Sequence, residues 1–168
     1  GISVGGLPDG IIQSADLAAG TGGKILQVLQ SNARITIHEM ADQIGLSSSP
    51  IARRIKILEK NGLIKGYAAI LDEGKLGYDF SVFVSVQLEK QIDKALVNFE
   101  KEIMKLPEVV DCWLMTGNRD YLLRVATSGL NDFEKFLVSH LTKIRGIASI
   151  ESSIPIRRVK SGLARTPI

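Results

Sequence analysis

Cysteine occurs once in the 168 residues, at Cys112, so one chain cannot form a disulfide framework; a reducing cytoplasm is its natural setting. Cys112 lies in a strand-like run without a paired histidine, and we read it as a buried structural thiol. No apolar run approaches the roughly 18 residues of a membrane span. No basic start leads into an apolar stretch, as it does in a secretory leader. There are only two histidines, His38 and His140, and they fall on different predicted helices. His38-Glu39 begins like the zinc-protease pattern HExxH, but Asp42 stands at the second His position and no third ligand follows. No Ser/His/Asp spacing suggests a nucleophile elbow, and no carboxylates cluster. The sequence therefore supports neither an enzyme nor a cofactor or metal. Aromatic residues make up only 5%, but aliphatic residues are ample for a core. The net charge of +3 is mild and compatible with nucleic acid.

Residues 36–66 carry the densest local signals. Thr36 followed by Glu39 is a capping-box pattern, and Ile37, Met40, Ala41 and Ile44 give one apolar helical face. Gly45 suits a left-handed helix end. Ser47–Ser49 then read as the cap of a second helix whose first turn holds Pro50. In that helix Ile51, Ile55 and Leu58 form one stripe, and Ser49, Arg53, Lys56 and Lys60 fall opposite. From Pro50 to Gly66 there are five basic residues against one acid, Glu59. Two helices joined by so short a turn must cross at an angle, as in helix-turn-helix DNA readers. Arg can fork onto guanine O6 and N7, while Ser and the free N–H groups of the helix start can bind phosphate. A solvated surface helix with ordinary Lys and Arg has a similar basic face; the caps and the turn favour the DNA reading.

Elsewhere the chain divides by pattern. Residues 1–23 are Gly-rich and aperiodic, and read as a mobile or vector-derived arm. Gly20–Lys24 invites a phosphate-loop reading, but Ala18 stands where the first Gly belongs and Ile25 replaces Ser/Thr. Helical spacing is expected from Lys24 to about Asn32, which completes a three-helix unit over 24–66. The β-prone alternation of 63–72 predicts a small wing or exit strand, and 67–79 a linker with its hinge at 72–79. From residue 80 to 160 the elements alternate. Strands are expected at 81–88, 109–116, 121–127 and 147–159, with helices over 93–106 and from a cap at Asn131/Glu134. The order β-α-β-β-α-β is that of a ferredoxin-like split sandwich. The overall class is thus α+β, with residues 161–168 as a tail.

The stretch Thr116–Tyr121 admits two readings. It can be a plain hairpin connection. It can also be a small-ligand site, with Asp120 accepting an ammonium and the N–H groups around Gly117 taking a carboxylate. Ser149, Ser152 and Ser153 read either as a polar pocket wall or as a solvated face.

The pieces Leu29–Ile35, Gly45–Tyr67, Lys75–Asp79, Leu106–Val109, Thr116–Leu123 and Arg157–Lys160, in this order and spacing, resemble the Lrp/AsnC ("feast/famine") family of transcriptional regulators. The resemblance runs from about Ile25 to Lys160. It implies an N-terminal winged helix-turn-helix and a C-terminal amino-acid-sensing domain of ferredoxin-like fold. The implied partners are double-stranded DNA, a small amino-acid effector, and further copies of the chain: dimers paired through their sheets, often assembled into octamers. It makes Ser48, Ser49, Pro50, Arg53, Arg54 and Lys56 the DNA-facing candidates. Gly117, Asn118, Asp120 and Tyr121 become effector-loop candidates, joined by Ser152 and Ser153. Two departures stand out. The family's usual Leu-Asp-x-x-Asp opening is replaced by Ala19–Lys24. Asn118 and Arg119 stand where an acid is usual, so Arg119 favours an effector with an acidic group. The rival reading is an amino-acid-binding oligomer whose helical domain mediates protein contacts. An enzyme on the ferredoxin-like half and a general chromatin-like binder are weaker alternatives.

Overall fold

The structure, a computed structural model, describes residues 17–160. The chain divides into two compact units, the first ending at Ala69 and the second spanning Ile70–Val159. Most of the arm expected over residues 1–23 lies outside the described residues.

The first unit holds three helices: α1 (Gly20–Ser31), α2 (Ile37–Ile44) and α3 (Ser48–Lys60). Helix α1 starts four residues earlier than its apolar spacing suggests. Glycines disguise its first turn because of their poor helix propensity. Gly22 is nonetheless required, since a Cβ there would lie 1.7 Å from the Leu17 carbonyl oxygen. Helix α2 has the expected ends. Thr36 and Glu39 close a full capping box, and Gly45 adopts a left-handed φ of 79° with its N–H donating to the Ala41 carbonyl. Helix α3 departs from expectation at its start: Ser47 is the N-cap residue, but no serine side chain caps the helix. Pro50 sits at the third helical position, where its missing N–H leaves nothing unbonded. Ile25, Met40, Ala41, Ile51 and Leu58 form the buried core of this unit. The alternating stretch 63–72 forms no strand. Tyr67, Ile70 and Leu71 are exposed, and β propensity without a pairing partner leaves the backbone unladdered.

The second unit runs β1 (Phe80–Leu88), α4 (Asp93–Ile103), β2 (Val109–Leu114), β3 (Tyr121–Thr127), α5 (Leu130–Ser139), a 3₁₀ turn (Leu141–Lys143) and β4 (Ile147–Ser153). The strands form one antiparallel sheet in the order β2-β3-β1-β4, as the split βαββαβ reading requires. Val82, Val84, Val86 and Leu88 alternate inward along β1, opposite Tyr121, Leu123 and Val125 of β3, and pack with Phe99, Ile103, Phe133 and Phe136 of the helices. The other sheet face carries Ser81, Phe83, Ser85 and Gln87 of β1, Leu122 and Arg124 of β3, and Ser149 and Glu151 of β4.

Three expectations change in this unit. Helix α5 begins at Leu130 without a side-chain cap from Asn131; the Ser128 hydroxyl instead donates to the Asp132 carboxylate. Strand β4 stops at Ser153 rather than running to Val159, because Pro155 has no N–H to continue a ladder. Cys112 is exposed rather than buried, because β2 is an edge strand. Its thiol is pushed up to about 11 by desolvation, helped by the charge of Glu100.

Candidate functional site

The basic face of α3 emerges as the spacing demands. Ile51 and Leu58 are fully buried, which turns Ser49, Pro50, Arg53 and Lys56 outward; Ser48 and Arg54 are half-buried at the margins. No hydrogen bond or ion pair within the described residues occupies Arg53, Arg54, Lys56 or Lys60. Four cations are thus presented from one rigid helix, with the uncapped N–H groups of its first turn beside Ser48 and Ser49. Glu59, the single acid of the helix, is engaged: the Tyr67 hydroxyl donates to its carboxylate at 2.9 Å. Desolvation, then the Glu59 bond and charge, pushes the Tyr67 phenol up to about 12. His38 lies 3.7 Å from Asp42 on α2, one turn away along the exposed face. That pairing and the Thr36–Glu39 box account for the residues that mimic a zinc motif.

The 115–120 connection between β2 and β3 is a hairpin closed by the Met115 N–H donating to the Asp120 carbonyl at 2.8 Å. Gly117 takes a φ of 103°, which a residue with a side chain would hold only under strain. Gly117 and Asn118 are exposed at its tip. Asp120 points the other way and is 5% exposed. Its carboxylate accepts the Leu88 backbone N–H and the Gln91 amide, each at 2.6 Å. Tyr121 is core: its ring packs 4.5 Å from that of Phe99, and its hydroxyl donates to Glu100 at 2.7 Å. Burial first, then the Glu100 carboxylate, raises its phenol above the ordinary range.

The six effector-loop candidates therefore do not converge within one chain. Asp120 and Tyr121 fasten the loop inward, while Gly117 and Asn118 face water. Ser152 pairs with Val84 and Ser153 with Phe83, so the two serines lie on opposite faces of β4.

Sequence reasoning missed two arginine clusters. Arg119 donates to the Ser149 hydroxyl at 2.7 Å and to Glu151 at 2.6 Å, reaching across the end of β1 to β4. Arg124, 14% exposed, donates to Asp111 at 2.9 Å and to both carboxylate oxygens of Glu73 at 3.1 and 3.2 Å. It thereby pins the turn at residues 72–78 to the sheet. The alternation of Ser149, Glu151 and Ser153 was a readable signal for the first cluster. The second joins residues 51 apart, which no local pattern reveals.

Comparison with known proteins assigns both units. Residues 20–65 match a family model described as winged helix-turn-helix DNA-binding, and residues 81–164 match the Lrp/AsnC ligand binding domain. The chain is 43% identical over 136 residues to the Bkd operon transcriptional regulator of Pseudomonas aeruginosa, covering 81% of this chain and 89% of that one. It is 36% identical to the leucine-responsive regulatory protein of Rhizobium meliloti, covering 82% and 88%. Among solved structures, a transcriptional regulator of Neisseria meningitidis in complex with L-Met superposes with a TM-score of 0.81 at 34% identity, covering 85% and 92%. No helix among the described residues is long and apolar enough to cross a membrane. With helix pair, sheet topology and both family matches in agreement, the chain belongs to the Lrp/AsnC family of DNA-binding transcriptional regulators.

Proposed function

We propose that this regulator reads a specific double-stranded DNA site through α3, and that a small amino acid tunes its DNA affinity or its assembly. The observation that carries the DNA reading is the outward face of Ser49, Pro50, Arg53 and Lys56, whose cations have no partner among the described residues. Arg53 and Arg54 are the candidates for base edges; Ser48, Ser49, the helix start and Lys56 are candidates for phosphate. The amino-acid effector is supported by the ligand binding domain match and by the L-Met complex of the Neisseria meningitidis regulator. Because the loop candidates face different directions in one chain, a complete effector site draws on a second copy at Gly117, Asn118 and the β4 serines.

Self-association also has its own support. Trp113, Met115, Ile70 and Leu71 of the sensing unit are exposed, and burying them against a second copy would remove apolar surface from water. A dimer paired through the sheets, further assembled toward an octamer, would cover them. In this reading the effector favours one packing of copies over another, which is allostery if effector and DNA affinities are coupled. Footprinting on the DNA upstream of the protein's own gene tests the reading, with and without each amino acid. A protected site that responds to one of them supports it; protection nowhere refutes it.

A further inference from the structure

An amino-acid effector brings a carboxylate, which either the N–H groups around Gly117 or a nearby guanidinium can hold. Asp120 is acidic and buried, and Arg124 already holds the carboxylates of Asp111 and Glu73. Arg119 differs from both. It belongs to the effector loop itself, yet its side chain is 37% exposed. Its guanidinium makes one bond to the Ser149 hydroxyl and one to Glu151, whose side chain is 62% exposed. A guanidinium has five N–H donors in a fork that best fits both oxygens of one carboxylate. The contact with Glu151 uses only one carboxylate oxygen, so the fork is partly filled by a substitute from the chain itself.

Resting on the effector reading, we propose that Arg119 is the carboxylate ligand for the amino-acid effector and that Glu151 is an internal competitor displaced when the effector binds. The physical balance permits the exchange. A solvent-exposed ion pair with a single contact is weak, so giving it up costs little. A ligand carboxylate held bidentately on the same fork makes the stronger contact. Ser149 and Gln87 flank the position, with the Ser149 hydroxyl donating to the Gln87 carbonyl oxygen at 3.3 Å. That carbonyl oxygen is a neutral acceptor suited to an ammonium. Displacement of Glu151 also releases one of the two links that Arg119 makes to β4, leaving the Ser149 hydroxyl. Effector occupancy would then change the sheet face that Ser149 and Glu151 share.

Calorimetric titration of the full chain with the twenty L-amino acids, repeated on Glu151→Gln, Arg119→Lys and Arg119→Gln, tests this. Glu151→Gln should bind the effective amino acid about two- to fivefold tighter, because the competing pair is gone. Arg119→Gln should weaken it about tenfold or more, with Arg119→Lys in between. The carboxamide of the same amino acid should bind poorly to wild type and gain nothing from Glu151→Gln. An amino acid seen only by Glu151→Gln also supports the proposal. Equal binding in wild type, Glu151→Gln and Arg119→Gln overturns this proposal alone. If no variant binds any amino acid while DNA binding persists, the effector reading falls and this proposal with it.

Discussion

The Asp120 carboxylate accepts the Leu88 backbone N–H at 2.6 Å, and so ties the β2–β3 connection to the end of β1. The same carboxylate holds Gln91, so one buried acid organises the loop and the start of the segment leading to α4. Removing it strands a buried backbone donor. Asp120→Ala should destabilise the sensing unit by about 1–3 kcal/mol. Asp120→Asn, which keeps one acceptor, should cost less. Chemical denaturation followed by circular dichroism measures this; an unchanged midpoint for the alanine variant would show the tie to be dispensable.

The Thr36–Glu39 box makes a pH statement about the first unit. The backbone N–H of Thr36 and then its hydroxyl hold the Glu39 carboxyl below its ordinary value of 4.5. A carboxyl depressed in the folded state adds stability that is present above the unfolded-state value and fades as pH falls through the folded one. Glu39→Gln should therefore flatten the loss of stability below about pH 4.5. Thr36→Ala should cost about 1 kcal/mol at neutral pH. Thermal melts across the acid range give both; parallel curves for wild type and Glu39→Gln contradict the first.

Cys112 should react slowly despite its exposure. With its thiol near 11, about one molecule in a thousand is thiolate at pH 8, roughly a hundredfold below an unshifted thiol of 9.0. Iodoacetamide labelling against a free-thiol peptide reads this directly. Glu100→Gln should speed labelling only modestly, because desolvation is the larger cause. Labelling as fast as the peptide would show the sulfur to be fully solvated.

Local patterns carried most of the fold, and tertiary facts account for the misses. Thr36, Glu39, Gly45 and the Val82–Leu88 alternation act within one element, so their periods and caps could be read along the chain. The early start of α1 has no local signature, because Gly22 is there for close approach to Leu17, against its own helix propensity. Residues 63–72 carry strand-forming residues, but strand formation depends on a partner, and no strand forms there. A strand-like run with no histidine partner points to a buried Cys112; only the strand order reveals that β2 is an edge. At the effector loop the residue types were legible but not their directions. Asp120 and Arg119 are neighbours that turn to opposite jobs, and the partners that decide this, Leu88 and Glu151, lie 32 residues away.

Within α3, Arg53 is the residue whose loss should change what is read rather than how tightly the helix folds. It is exposed and unpaired among the described residues, so Arg53→Ala should leave the melting temperature nearly unchanged. Discrimination between a preferred site and its base-substituted variants should fall by about 1–3 kcal/mol at one position. Lys56→Ala should weaken preferred and random DNA alike, as a phosphate contact does. Competition binding with a library of substituted sites separates the two; unchanged discrimination in Arg53→Ala removes it from the base-reading set.

If α3 docks on DNA with Lys56 against a phosphate, binding must release counterions, and its affinity must depend on salt. Affinity of the full chain for its preferred duplex should be titrated at several monovalent salt concentrations. Log affinity is expected to fall linearly with log salt, with a slope of about −0.9 for each phosphate neutralised. Lys56→Ala should make that slope shallower by about one for each chain engaged. An affinity that does not respond to salt, or a slope that Lys56→Ala leaves unchanged, would show that this face of α3 does not meet the phosphate backbone.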